Sequence, residues 1–281
     1  MTNDLSFSKS QETAYLREDF SPFGLTHSYG ENIVLSHNPF MWTELAKLSH
    51  PKTKAPELQH LTRNLYRDLL RQAAAELLPK KEVKLPTRMS LAHPGCGWRG
   101  MIISPETRAI SVGVARAGLL PAQVVYDELT SILEPTLVRQ DFLTMNRKVG
   151  ADGRVQGVDF TGAKTGKQAH GAIVFIPDPM AATGSSMLET IQYYESLASP
   201  GPKLYCLLHL VVTPEYLRRM QNECQANIRI FAVRLDRGLS PEEVLETPLG
   251  TKWEEEIGLN ANDYIVPGAG GLGEVLSNCD D

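Results

Sequence analysis

The nine residues from Asp178 to Ser186, Asp-Pro-Met-Ala-Ala-Thr-Gly-Ser-Ser, combine residue types that together can bind a phosphorylated sugar. They follow an apolar run at residues 172–176 and lead into a segment with apolar residues at helical spacing. Main-chain N–H groups in a small-residue turn at a helix start, together with Thr and Ser hydroxyls, converge on an anion. Asp178 precedes the turn, where its carboxylate can reach ribose hydroxyls. We therefore expect a ribose 5-phosphate site; the alternative is an ordinary strand-to-helix turn with Ser185 as N-cap.

A second small-residue turn, Arg116-Ala117-Gly118, follows the apolar run at residues 109–114. An arginine guanidinium and the N–H groups of such a turn can bind pyrophosphate. A solvated arginine beside a helix start is the alternative. Taken together, the two turns indicate a sugar with a phosphate at one end and a pyrophosphate at the other.

Two other glycine patterns do not predict nucleotide-binding motifs. Residues 268–273 match Gly-x-Gly-x-x-Gly, but only eight residues follow, too few for the helix, strand and acidic residue of a dinucleotide fold. Residues 162–168 resemble a Walker loop but are one residue short and lack the Ser or Thr that binds magnesium. We interpret the first as a glycine-rich loop shaped by close backbone approach.

The elements that must position these turns alternate between strands and helices. Predicted strands lie at residues 109–114, 172–176, 204–212, 228–233 and 264–266, and predicted helices at residues 40–48, 57–78, 119–129, 185–197 and 214–224. Such alternation indicates an α/β fold with a mostly parallel sheet flanked by helices. Ligands of these sheets bind at the edge where the strands end, which is where both turns fall.

Three segments stand outside this alternation. Residues 1–35 are predicted to be a peripheral N-terminal arm with little core, followed by one domain at residues 36–281. Residues 139–168 are rich in glycine and basic residues and predict a long hairpin or flexible arm. Residues 240–260 are acidic, contain Pro241 and Pro248, and are interpreted as an inserted surface excursion.

Composition excludes several classes of protein. The chain has 281 residues, 42% hydrophobic and 22% charged, with a net charge of −5, which is typical of a soluble globular protein and gives no basic excess for nucleic acid. No apolar run approaches the roughly 20 residues of a membrane helix, and no secretory signal is visible, so we expect a cytoplasmic protein. Four widely spaced cysteines and seven scattered histidines predict neither a disulfide framework nor a metal centre of protein ligands.

These motifs resemble those of the uracil phosphoribosyltransferases, within the type I phosphoribosyltransferase fold. That family carries an Arg-Ala-Gly turn, a DPMxATGGS loop and a C-terminal YIVPGxGDxGD loop; the counterparts here are residues 116–118, 178–186 and 264–274, in the same order. The likeness extends to residues 37–39, 62–67, 213–215 and 236–239. It implies a flexible arm, a hood, and a homodimer or larger assembly.

The resemblance implies transfer of phosphoribosyl from PRPP to uracil, giving UMP and pyrophosphate, with Mg²⁺ carried by PRPP rather than by protein ligands. Asp178, Arg116 and Arg139 would be catalytic, and Ile265, Gly270 and Leu272 would bind uracil through their backbone. The implied PRPP-binding residues are Arg116, Ala117, Gly118, Arg139, Asp178, Met180, Ala182, Thr183, Gly184, Ser185 and Ser186.

The chain departs from the family pattern in its third motif and its phosphate loop. Gly271 stands where the family has an aspartate near magnesium and ribose, Glu274 replaces the final aspartate, and Ser185 replaces a glycine. Two alternatives follow: another heterocyclic acceptor, since Gly271 opens space beside the base, or a homologue that binds PRPP or nucleotide without turnover and acts as a sensor or regulatory partner.

Overall fold

The structure is a computed structural model that describes residues 24–149, 155–166, 168–197 and 200–278. The strands are β1 (Ile33–Leu35), β2 (Lys80–Leu85), β3 (Trp98–Ile103), β4 (Ala109–Ala115), β5 (Val138–Val149), β6 (Val155–Lys164), β7 (Ile173–Pro177), β8 (Met180–Ala181), β9 (Leu204–Val212) and β10 (Ile228–Leu235). The helices are α1 (Pro39–Leu48), α2 (Glu57–Leu77), α3 (Leu119–Ile132), α4 (Ser185–Leu197), α5 (Pro214–Glu223), α6 (Glu242–Leu245) and α7 (Leu272–Ser277).

The main sheet has eight strands in the order β1-β10-β9-β7-β4-β5-β6, with β8 paired to β9. In the described part of the chain its pairings are parallel, except that β5 and β6 form an antiparallel hairpin. All five residues of β7 are buried, as are Tyr205 to Val212 of β9. Continuous apolar strands of this kind are typical of a parallel sheet covered on both faces.

The two faces of the sheet carry different helices. Apolar side chains of α1, α2 and α3 pack on one face, and those of α4 and α5 pack on the other. The chain leaves β4 towards β5 through α3, and it leaves β7 towards β9 through α4 on the opposite face. Because β4 and β7 are neighbours, the loops that follow them diverge at a topological switch point, where open α/β sheets bind ligands.

The structure confirms the predicted hairpin within residues 139–168 and the predicted strands and helices, with one exception. Residues 264–266 are not a strand: Ile265 makes a single isolated bridge to Leu259, and the Val266 N–H donates to the Gly258 carbonyl, so loop contacts rather than a strand ladder hold this segment. The structure also contains a two-stranded antiparallel sheet of β2 and β3 that the sequence did not predict.

The expectation of a peripheral N-terminal arm is wrong for the residues described, and the acidic segment 240–260 is only partly a surface excursion. From residue 24 onwards the N-terminal segment belongs to the core: Tyr29 and Leu35 are fully buried, and β1 forms the edge of the main sheet beside β10. The acidic segment 240–260 is not only a surface excursion, since Val244 is fully buried and Glu256 is 1% exposed. The Tyr29 hydroxyl donates to Glu256 at 2.5 Å, which ties the two segments together.

No helix in the described ranges combines the length and apolar character that a membrane crossing requires.

Candidate active site

The predicted phosphate loop lies at the switch point and presents unused N–H groups. It leaves β7 at Asp178, forms the short strand β8, turns at Gly184 with φ of +85°, and enters α4 at Ser185. The first α4 bond is from Leu188 N–H to the Gly184 carbonyl. In the part of the chain that the structure describes, the N–H groups of Thr183, Gly184, Ser185 and Ser186 donate to no protein acceptor. Unpaired N–H groups at a helix start are available to bind an anion.

Neighbouring elements fix the shape of this loop. The Thr213 hydroxyl, at the start of α5, donates to the Ala182 carbonyl at 2.7 Å. Gly184 packs against Tyr216, whose ring would lie 3.3 Å from a Cβ at position 184. A side chain at Gly184 would therefore meet both an aromatic ring and the left-handed φ that glycine tolerates best.

A buried chain of hydrogen bonds through His209 and Tyr216 holds the main chain of Asp178. His209 Nδ1 is 2.7 Å from the Asp178 carbonyl oxygen, and Nε2 is 2.8 Å from the Tyr216 hydroxyl. Burial lowers the pKa of His209 to about 4, so the ring is neutral at pH 7. A carbonyl can only accept, so the network assigns the proton to Nδ1, which donates to Asp178, while Nε2 accepts from Tyr216. The main chain of Asp178 is thereby held independently of its carboxylate.

The Asp178 carboxylate also acts on two buried tyrosines. Burial, and then the charge of Asp178, raise the pKa of Tyr66 and of Tyr216 well above the usual value for a phenol. The Asp178 Oδ1 atom accepts weakly from the Met180 N–H at 3.4 Å.

The second predicted turn, residues 116–118, packs against the end of β7, directly before the phosphate loop. A Cβ on Gly118 would lie 2.8 Å from the Val114 carbonyl oxygen and 2.9 Å from that of Pro177. Any side chain at this position would push β4 and β7 apart. Glycine thus allows the Arg116 turn and the Asp178 loop to lie against each other.

The C-terminal glycine-rich loop, residues 266–273, is held by a partly buried ion pair. Arg234 makes a bidentate contact with Asp236 at 2.6 and 2.8 Å and donates to the Gly268 carbonyl at 3.0 Å. The Asp236 carboxylate accepts from the Gly268 N–H at 2.7 Å. Gly270 has φ of +76° and open space around its Cβ position.

This loop also contacts the Arg116 turn. A Cβ on Gly273 would lie 3.6 Å from Ala117, and Arg116 Nη2 is 3.2 Å from Glu274 Oε1. The other oxygen of Glu274 lies where a Cβ on Gly271 would be. The carboxylate of Glu274 therefore stands beside the position at which the sequence lacks an aspartate.

Comparison with known proteins decides the family. The family model described as "UPRTase: Uracil phosphoribosyltransferase" matches residues 35–251, which is more than half of the chain. The chain belongs to the uracil phosphoribosyltransferase family.

Relatives of this family match most of the chain at low identity. The uracil phosphoribosyltransferase of Campylobacter concisus (strain 13826) is 23% identical over 248 residues, covering 88% of this chain and 99% of the relative. That of Paenarthrobacter aurescens (strain TC1) is 24% identical over 246 residues, covering 87% and 96%. The AQ2163 protein from Aquifex aeolicus has a similar structure, with a TM-score of 0.63 and 20% identity over 87% of this chain and 97% of that chain. The fold is that of the type I phosphoribosyltransferases, α/β with a mostly parallel sheet flanked by helices.

One site residue suggested by the resemblance to uracil phosphoribosyltransferases is wrong. Arg139 pairs in register with Ile110, at the beginning of β4, whereas the Arg116 turn follows the end of β4 six residues later. Six strand residues span about 20 Å, so Arg139 lies at the opposite edge of the sheet and cannot neutralise pyrophosphate there. It makes a bidentate contact with the buried Asp141 at 2.9 and 3.0 Å and donates to the Gln168 carbonyl at 2.6 Å. The role of Arg139 is structural.

Sequence reasoning also missed residues that support the site. Asp236 belongs to residues 236–239, for which the sequence indicates only a family likeness. Its contact with Gly268 depends on the packing of the C-terminal loop beside the end of β10, which the local sequence does not show. The backbone of Arg147 lies in the part of β5 that extends beyond Ala115, towards the ligand edge. The sequence predicts a helix that includes Arg219 but gives no sign that this side chain hydrogen-bonds to the phosphate loop.

Proposed function

We propose that this protein transfers the 5-phosphoribosyl group of PRPP to N1 of uracil, giving UMP and pyrophosphate. The observation that carries the proposal is the set of four unused N–H groups from Thr183 to Ser186, next to Asp178 at the switch point. In the reaction the bond from ribose C1 to the pyrophosphate oxygen breaks, the bond from C1 to N1 forms, and the N1 proton is lost. The protein must stabilise positive charge on the ribose and negative charge on the leaving group.

The proposal assigns one task to each loop. Asp178 holds the ribose hydroxyls, and its negative charge stabilises the oxocarbenium-like ribose. Met180 and residues 182–186 surround the 5-phosphate. Residues 116–118 bind pyrophosphate, with the Arg116 guanidinium released from Glu274. An exposed ion pair of this kind contributes only about 0.2–1 kcal/mol, so a pyrophosphate can displace it.

Uracil would bind against the C-terminal loop, through the backbone of Ile265, Gly270 and Leu272. Backbone donors and acceptors match the imide edge of uracil, and cytosine would leave some of them unpaired. The Leu272 N–H donates to the Gly270 carbonyl at 3.1 Å, so this contact has to open before Leu272 can bind the base.

The carboxylates of the site fit a magnesium ion that arrives with PRPP. The described residues contain no group of three His, Cys, Asp or Glu side chains that could hold a metal. Magnesium commonly takes one or two carboxylates together with substrate phosphates, and Asp178 and Glu274, which lie in the proposed substrate-binding loops, would supply these carboxylates. When bound, the ion would neutralise charge on the leaving pyrophosphate.

Asp236→Asn is expected to raise the KM for uracil about 10-fold, the effect of weakening one charge-assisted hydrogen bond at the clamped loop. The KM for PRPP should stay within about 2-fold, because Asp236 contacts Gly268 rather than the phosphate loop. Steady-state kinetics with each substrate varied in turn measures both constants.

Asp141→Asn is the matched control for this prediction, since Arg139 and Asp141 form the same kind of bidentate pair, two residues apart, on β5. It should lower thermal stability without changing the KM for uracil. Equal effects of the two variants on that KM would contradict the clamp.

The proposed activity is tested by incubating the protein with radiolabelled uracil, PRPP and Mg²⁺, and by measuring PRPP binding in parallel by calorimetry. Labelled UMP is the expected product. Gly271 favours a second candidate, a homologue with altered base specificity or lost turnover. PRPP binding without UMP formation would support a sensor, and pyrophosphate release with a different base would support another acceptor. Absence of binding to both PRPP and UMP would contradict every version.

The proposal includes a homodimer or larger assembly located in the cytoplasm. Size-exclusion chromatography with light scattering measures the mass of the assembly, and a monomer would contradict this part.

A further inference from the structure

Arg219 of α5 is attached to the phosphate loop by two hydrogen bonds. Its Nη1 donates to the Ser185 Oγ at 2.8 Å and to the Thr183 carbonyl at 3.2 Å. Its Nε donates to both carboxylate oxygens of Glu223 at 3.1 Å. The guanidinium is thus held between the loop and one turn of α5, and 37% of the side chain is exposed.

One edge of this guanidinium is unused. In the part of the chain that the structure describes, Nη2 of Arg219 has no acceptor. The loop itself contains no lysine or arginine between Asp178 and Ser186. The Arg219 side chain therefore brings a fixed positive charge to a loop whose other donors are neutral.

Arg219 also sets the direction of the Ser185 hydroxyl. Because Ser185 Oγ accepts from Nη1, its own hydrogen points to another acceptor. Thr183 Oγ1 is 3.4 Å from Ser185 Oγ, too long for a strong bond between hydroxyls. The Ser185 hydroxyl is consequently free to donate to an anion held by the four N–H groups.

We propose that Arg219 is a phosphate-binding residue, which supplies the positive charge for the 5-phosphate of PRPP and UMP and orients Ser185 as a further donor. This inference rests on the proposed function, since it takes the phosphate loop as the site of the 5-phosphate. Guanidinium groups bind phosphate strongly, and their hydrogen bonds to charged oxygens are about twice as strong as neutral ones. Arg219 would thereby select ligands that carry a doubly charged phosphate.

The contact of Arg219 with Glu223 allows a role of its charge in phosphate binding to be distinguished from a purely structural role. Glu223 is an acidic group in direct contact with the guanidinium, and it opposes the binding of an anion there. If Arg219 acts through its charge, Glu223→Gln should strengthen phosphate binding. If Arg219 only stabilises the conformation of the loop, removing its ion pair with Glu223 should weaken phosphate binding, as replacing Arg219 does.

The test compares the affinities of the full-length chain for UMP and for uridine, which differ by the phosphate, using calorimetry. Arg219→Gln is expected to weaken UMP binding about 10-fold, as for the loss of one charge-assisted hydrogen bond, with uridine affinity within about 2-fold. Glu223→Gln is expected to bind UMP more tightly than the wild type. Thermal unfolding of each variant verifies that it is folded.

Arg218→Gln is the charge-matched control, because Arg218 is adjacent on α5 but donates to the carbonyls of Trp253 and Glu256, away from the phosphate loop. It should leave UMP affinity within about 2-fold. An Arg219→Gln variant with unchanged UMP affinity, or a Glu223→Gln variant as weak as Arg219→Gln, would overturn the inference. Failure of the wild type to bind either UMP or PRPP would instead contradict the proposed function.

Discussion

Asp178→Asn is expected to lower kcat/KM for PRPP on the order of 100-fold, with little change in thermal stability. The variant removes the negative charge that stabilises the oxocarbenium-like ribose, and preorganised charges of this kind commonly contribute 10²–10³ in rate. Asparagine keeps the local fold, because the bonds to Leu208 and His209 use the main chain of residue 178. Initial rates of UMP formation over a range of PRPP concentrations measure the effect.

Asp127→Asn is a suitable control for the loss of one negative charge. Asp127 lies on α3, where its carboxylate accepts from Gln123 at the surface. Its variant should retain full activity. An Asp178→Asn enzyme within about 3-fold of the wild-type rate would remove Asp178 from its assigned role.

Arg237→Met is expected to destabilise the fold by about 3–5 kcal/mol, the usual effect of leaving a buried charge without its partner. The side chains of Arg237 and Glu256 are 10% and 0% exposed, and they approach each other to 2.6 Å. Glu256 also accepts from the Tyr29 hydroxyl and the Gly250 N–H, so its unpaired carboxylate would lie where the N-terminal segment meets the acidic segment 240–260. Denaturant unfolding of each variant measures the free energy of unfolding.

Two further variants serve as comparisons for the destabilisation caused by Arg237→Met. The double variant Arg237→Met/Glu256→Leu removes both charges and should recover part of the lost free energy of unfolding. Arg71→Met breaks a pair with Glu128 in which the arginine is 61% exposed, and it should cost about 0.2–1 kcal/mol. A cost for Arg237→Met as small as that for Arg71→Met would show that the buried pair does not stabilise the fold.

Local sequence patterns were sufficient for the central sheet. β7 and β9 are continuous apolar runs, and small residues mark the turns that follow β4 and β7. The pair of strands β2 and β3 escaped detection because β2, Lys-Lys-Glu-Val-Lys-Leu, is at least partly exposed at every position and has no apolar alternation. Residues 264–266 have the composition of a strand, but among the residues described they make only an isolated bridge, from Ile265 to Leu259.

The sequence predicts candidate site residues where neighbouring residues in the chain form a recognisable binding motif. It does not predict those that depend on strand register or on the packing of distant elements. The loop from Asp178 to Ser186 carries its own signature. Arg139 was misplaced because only the pairing of β5 with β4 shows which end of the sheet it occupies. Arg219 gave no sequence signal, since an arginine on a polar helix is usually solvated, and its contact with Ser185 joins residues 34 positions apart.

The phosphate cradle is tested most directly by a crystal structure of the protein with PRPP and Mg²⁺. We expect the 5-phosphate oxygens at hydrogen-bond distance, about 3 Å, from the N–H groups of Thr183 to Ser186, with the ribose hydroxyls at Asp178. A 5-phosphate bound elsewhere, with those four N–H groups donating to protein carbonyls, would contradict it.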